Sequence, residues 1–145
     1  MAGRTDDVDH EGDAATAEDL RRRGVELVLG TVVDMAGVAR GKTVPTERLD
    51  AFVRSGMGAS PSWNVFCVDS GIAFTPSLGV VGDLRLHLDR GALRVLGDGL
   101  AWAPASITDQ EGAPSPVCTR TRLASQVERA RGLGLTALVL SLIHI

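Results

Sequence analysis

The stretch AGVARGKT, Ala36 to Thr43, has the residue types of a phosphate-binding loop, with Ala36 in the first glycine's place and Gly41, Lys42 and Thr43 closing it. Such a loop works when a strand ends in a glycine-rich turn and a helix begins at the Lys–Thr pair. The loop amides and the helix N-terminus then face the phosphates. A strand precedes these residues, but the helix is missing. Val44 precedes Pro45, and the residue before a proline is pushed out of the helical region. VARGKTV has the composition of a strand, and Ala36 lacks glycine's backbone freedom. A β-hairpin over VVDMAGVARGKTV accounts for these residues better, with Gly37 in the turn's positive-φ position. Arg40 and Lys42 then share a face, because strand side chains repeat every two residues, and they read as a solvated basic pair.

Other reactive residue types are sparse. His10, His87 and His144 form no ligand spacing with cysteines or acids, and no metal is expected in this chain. Cys67 and Cys118 are far apart and suggest free thiols in a reducing compartment rather than a disulfide framework. Arg120 has the fork geometry to grip a carboxylate, and a surface salt bridge is its simplest use.

The 145 residues suit one domain with a real core. Aromatic residues make up 3% of the chain, with no tyrosine, so the core must be aliphatic and base stacking on nucleic acid has little to use. The net charge of -3 is uneven: residues 1–19 hold seven acids against one base, and the remainder carries a mild positive excess without basic blocks. No nucleic-acid partner is expected. The acidic N-terminus lacks a signal peptide's apolar stretch, and TALVLSLIHI is too short to span a bilayer. A cytoplasmic protein without a membrane partner is expected.

Along the chain, residues 1–15 read as a disordered acidic leader. Thr16 and Asp19 fit a helix-start box, and Gly24 ends that helix. VELVLGTVVD reads as a strand. After the hairpin, Thr46 opens a helix over TERLDAFVRSG with Leu49, Phe52 and Val53 on one face. Residues 57–82 read as mostly irregular, and a loop that long inside a domain usually has a job. DLRLHLD alternates as a strand, GALRVL and LAWAPASITD give two further short strands, TRTRLASQVERARG is the last helix, and LTALVLSLI a closing strand. The plan is α+β: a small mixed sheet with helices on one side.

Taken in order, Val33-Asp34, Gly37, Arg40-Gly41-Lys42, Val44-Pro45, Gly82-Asp83 with Asp89, Trp102-Ala103-Pro104 and Asp109 to Leu123 resemble the N-terminal region of the glutamine synthetase family. The match runs from about Val25 to Val139, and the similarity is greatest to the divergent γ-glutamyl-amine ligase branch. The resemblance implies a β-grasp domain over residues 16–132, with its mixed sheet packed against helices. It also implies a full-length parent that uses ATP and Mg or Mn to activate a glutamate carboxylate for attack by ammonia or an amine. Metal ions offset phosphate charge in such transfers. The family's Glu-x-Glu-Phe strand is absent, and no glutamate follows Glu128. Residues 133–145 therefore read as the truncated start of a catalytic domain. The chain alone is expected to lack catalytic residues, ATP and metal.

By the same resemblance, partners are other copies of the full-length subunit in a ring homo-oligomer. The loop GASPSWNVFCVDSG then points toward the neighbouring active site. Ser60 and Ser62 are the nearest matches to the serines of the family's Asp-Gly-Ser-Ser motif, and Asp69-Ser70 is an alternative alignment. The missing acid favours an amine larger than ammonia. As residues alone, Ser60 and Asp69 also suit turns, while Trp63 and Phe66 either anchor the loop in the core or, as preferred here, meet a subunit interface. The alternative function is a stand-alone β-grasp interaction module without catalysis.

Overall fold

Thr16 begins α1 (Ala17–Arg22) with a capping box: its Oγ1 accepts from the Asp19 amide at 3.1 Å, and Asp19 Oδ2 accepts from the Thr16 amide at 3.2 Å. The helix ends at Gly24, whose φ of +77° suits a residue without Cβ. The amides of Gly24 and Val25 bond back to the carbonyls of Arg21 and Leu20, and buried Leu20 and Val25 supply the apolar contact of that helix end. The computed structural model describes residues 15–138.

The chain turns from α1 into β1 (Leu27–Val33), which pairs antiparallel with β2 (Ala39–Pro45) from Leu27↔Pro45 to Val33↔Ala39. Gly37 takes φ +81° in the turn, as the hairpin reading requires. A 3-10 turn at Thr46–Arg48 leads into α2 (Leu49–Arg54). Thr46 opens the helical stretch as expected, at the start of the 3-10 turn that runs into α2. It is buried, and its hydroxyl donates to the Val25 carbonyl at 3.0 Å, which ties the turn to the start of β1. Leu49 and Phe52 are fully buried. Phe52 lies so close to β1 that a Cβ on Gly30 would stand 2.5 Å from its ring. Glycine at that position lets helix and sheet meet.

Four more strands follow: β3 (Met57–Ala59), β4 (Leu84–Leu88), β5 (Arg94–Gly97) and β6 (Leu100–Thr108). The six-stranded sheet runs β2-β1-β6-β4-β3, with β5 also paired to β6. The β1–β6 pair is parallel and the others antiparallel. One face, with Val28, Val32, Val44, Leu86, Leu88, Ala101, Ala103, Ala105 and Ile107, is buried with Leu20, Leu49 and Phe52. This is the α+β mixed sheet with helices that the sequence predicts.

Two details differ. The stretch read as irregular contains β3 and a 3-10 turn at Pro61–Asn64. A three-residue strand whose partner, β4, lies far along the chain has no local periodicity to betray it. The helices are also not all on one side: α3 (Thr119–Gly132) starts where Arg120 bonds Ser106, on the face opposite Ala105 and Ile107. No residue of α3 is buried. Residues 135–138, expected to open a last strand, are exposed and outside any strand, and the rest of that strand lies outside the described residues, as does most of the leader.

Candidate functional site

The hairpin turn is organised by one carboxylate. Asp34 Oδ1 accepts from the amides of Ala36 and Val38, each at 2.9 Å, and Oδ2 accepts from Arg40 Nε at 2.6 Å. The Asp34 side chain is 1% exposed and that of Arg40 19%. Burial pushes the Asp34 pKa up, but the Val38 amide, the Arg40 guanidinium and the Ala36 amide outweigh it, so the carboxyl lies below its ordinary value. The Arg40 guanidinium carbon also sits 4.0 Å from the centroid of the Phe66 ring, within cation–π range. Arg40 Nη2 is buried and has no acceptor among the described residues.

Arg40 and Lys42 do share a face, as the strand period predicts, yet it is the core-side face. Their cross-strand partners are Val32 and Gly30, and both are half-buried rather than solvated. Gly41 lies within β2 opposite Thr31, and no α-helix begins at Lys42-Thr43. Those positions are a hairpin, not a phosphate cradle.

Phe66 belongs to the long segment between β3 and β4. Ser60 caps the 3-10 turn: its Oγ accepts from the Ser62 amide at 3.2 Å and from the Ser62 hydroxyl at 2.8 Å. Trp63 is half-buried and packs against the core, whereas Phe66 is half-buried against Arg40. A small loop runs from Val65 to Ala73, closed by Ala73 N–H to the Val65 carbonyl and Cys67 N–H to the Gly71 carbonyl, both at 2.8 Å. At its tip Asp69 Oδ1 accepts from the Gly71 amide at 2.9 Å, and Ser70 takes φ +63°. The structure thus places Ser60 and Ser62 together on one turn and Asp69 and Ser70 together on another. Beyond them, Phe74 and Val81 are 91% and 92% exposed. A cleft of about 240 Å³ opens beside this segment, lined by Pro61, Asn64, Asp83, Leu84, Ser115 and Val117 among others.

Arg120 forms a salt bridge with Asp89 at 2.6 Å and also bonds Ser106, the simple use expected of it. Cys67 is exposed and Cys118 buried, both free.

No family model matches the sequence. The chain is 46% identical over 112 residues to the gamma-glutamylpolyamine synthetase GlnA3 of Streptomyces coelicolor, a match covering 75% of this chain and 24% of that protein. It superposes on a novel glutamine synthase homolog with a TM-score of 0.66 at 28% identity, covering 75% of this chain and 27% of the other. Against the GmaS/ADP complex the TM-score is 0.67 at 25% identity, covering 83% of this chain and 26% of GmaS. These residues match the N-terminal region of the glutamine synthetase family.

The chain spans about a quarter of the length of these family members. Its described residues do not fit a metal-bound nucleotide. Among them no three His, Cys, Asp or Glu side chains gather as a metal requires, and the Arg-Gly-Lys triplet is held in a strand with Arg40 already engaged by Asp34. No described helix is long and apolar enough to cross a membrane.

Sequence reasoning missed the Asp34–Arg40–Phe66 cluster. The first link had a signal, since an aspartate at a turn six residues before an arginine can close a hairpin. The second had none, because Phe66 is brought to Arg40 only by the tertiary fold.

Proposed function

We propose that this chain forms the N-terminal β-grasp part of an ATP-dependent glutamate–amine ligase, packs against a neighbouring copy of the full-length subunit, and is inactive alone. In this reading the segment holding Ser60, Ser62, Asp69 and Ser70 extends toward the neighbour's active site, with Trp63 and Phe66 supporting it at the subunit interface. The acceptor is an amine larger than ammonia, and ATP with Mg or Mn binds elsewhere in the parent. The observation that carries the reading is the 46% identity over 112 residues to a gamma-glutamylpolyamine synthetase. Exposed Met35, Val38, Val68, Phe74 and Val81 on the hairpin turn and the long segment support an interface.

Reconstitution tests it. The chain is mixed with the Streptomyces coelicolor enzyme lacking its matching N-terminal quarter. Alone, the chain should consume no ATP with glutamate and a polyamine; the mixture should associate and regain activity, and Asp69→Asn should weaken amine use without preventing association. Turnover by the chain alone, or no association, would sink the reading.

A further inference from the structure

Arg40 is treated unlike the other arginines of the described chain. Its Nε is committed to a carboxylate that is itself 1% exposed, its guanidinium carbon lies over an aromatic ring, and its Nη2 is buried without an acceptor among the described residues. A surface arginine that only balanced charge would keep its donors in water, where each finds a partner. Arg90 also has a buried nitrogen, Nε, without a partner among the described residues, but its carboxylate, Asp50, is 54% exposed. What sets Arg40 apart is that it is held on two sides, by the buried Asp34 on one and Phe66 on the other.

The two partners belong to segments joined by no strand pairing. Asp34 is fixed at the β1–β2 turn by the Ala36 and Val38 amides. Phe66 opens the small loop from Val65 to Ala73, whose own hydrogen bonds close it on itself: Cys67 to Gly71, Ala73 to Val65, and the Phe66–Ile72 bridge. The loop is rooted at its base, where Val65 is buried and Trp63 packs against the core, but its own hydrogen bonds do not fix the direction of its exposed tip, Cys67 to Ser70, relative to the sheet. Phe66 faces Arg40 across that gap.

We propose that Arg40 is a positioning residue: anchored by Asp34 and set over Phe66, it fixes the direction of the tip of the Val65–Ala73 loop and so the place of Asp69 and Ser70 there. The planar guanidinium is essential, because a lysine keeps the charge but can neither hold Asp34 through an Nε–H nor cover the ring as a planar group does. The inference concerns this chain's own loop and stands whether or not reconstitution with a ligase succeeds.

The free thiols allow a direct test. Cys67 is exposed within the loop and Cys118 is buried, so a nitroxide reagent labels Cys67. In the labelled full chain, the amide resonances of Met35, Ala36 and Gly37 at the hairpin turn should be paramagnetically broadened. Arg40→Gln and Arg40→Lys should relieve that broadening, the held-to-released ratio falling roughly five- to thirty-fold for a loss of one or two kcal/mol. Phe66→Leu should do the same while keeping an apolar side chain, and Phe66→Tyr should retain the broadening. Lys42→Gln, a change outside the contact, should leave it unchanged. If Arg40→Gln fails to fold because Asp34 is left buried and unpaired, Phe66→Leu decides, since it leaves the Asp34–Arg40 pair intact. An unbroadened parent chain, or Phe66→Leu behaving as the parent does, overturns the proposal.

Discussion

Helices α2 and α3 differ in length and in what they bury, and the two run opposite ways. Six-residue α2 puts Leu49 and Phe52 completely out of water, against a strand that keeps a glycine at position 30 to receive it. Fourteen-residue α3 buries nothing, and its Leu123 is 58% exposed. A helix so short has little intrinsic stability, so α2 exists because of its packing, while α3, still marginal on local hydrogen bonds alone, is held at its first turn by polar contacts of Thr119 to the Val33 carbonyl and of Arg120 to Ser106 and Asp89. Stability in this molecule therefore sits on one face of the sheet, and the other face and the long segment contribute surface.

That contrast is most severely tested at its centre. Phe52→Ala should lower the unfolding free energy by about 3–5 kcal/mol, read from the midpoint of urea denaturation. A cost near 1 kcal/mol would mean that α2 is no better packed than α3. Next comes the polar counterpart of the core. Asp34→Asn, which weakens a charged hydrogen bond to Arg40, should cost about 1.5–3 kcal/mol at neutral pH. Because the folded Asp34 pKa is lowered, its contribution is present above the unfolded aspartate value of about 3.9 and is lost as pH falls through the folded pKa. Unfolding followed from pH 6 downward should show a shallower acid decline in the variant, and identical declines would remove Asp34 from the account. The smallest effect is expected on α3: Leu123→Ala should stay within about 0.5 kcal/mol in the isolated chain, and a loss of 2 kcal/mol would show α3 packed after all.

The sequence was readable where physics is local. The Thr16–Asp19 box, Gly37 in the hairpin turn and the alternation of Leu84, Leu86 and Leu88 each carry their signal within a few residues, and each lands where expected. Thr46 opens its helical stretch as its place before an apolar run suggests, but the partner of its hydroxyl, a buried carbonyl twenty-one positions earlier, leaves no local signal. Arg40 and Lys42 were placed on one shared face by their spacing, but which face meets the core depends on α2, and no two-residue period encodes that. The site itself was half legible. Its turn residues, Ser60 and Asp69, could be named from type alone, whereas the ring–guanidinium contact that ties their segment to the hairpin joins residues that share no pattern.

The parallel pairing of β1 with β6 sets an order for synthesis. Leu27 and Val28 emerge early from a ribosome, yet their partners Leu100 and Ala101 are made only near the end of the domain. Until then β1 has β2 on one side and a bare edge on the other, and distant pairings of this kind are slow to close. The nascent hairpin can meet Leu49 and Phe52 of α2 soon after it is made, yet the outer edge of β1 must wait unpaired, the state in which strand edges recruit the wrong neighbours.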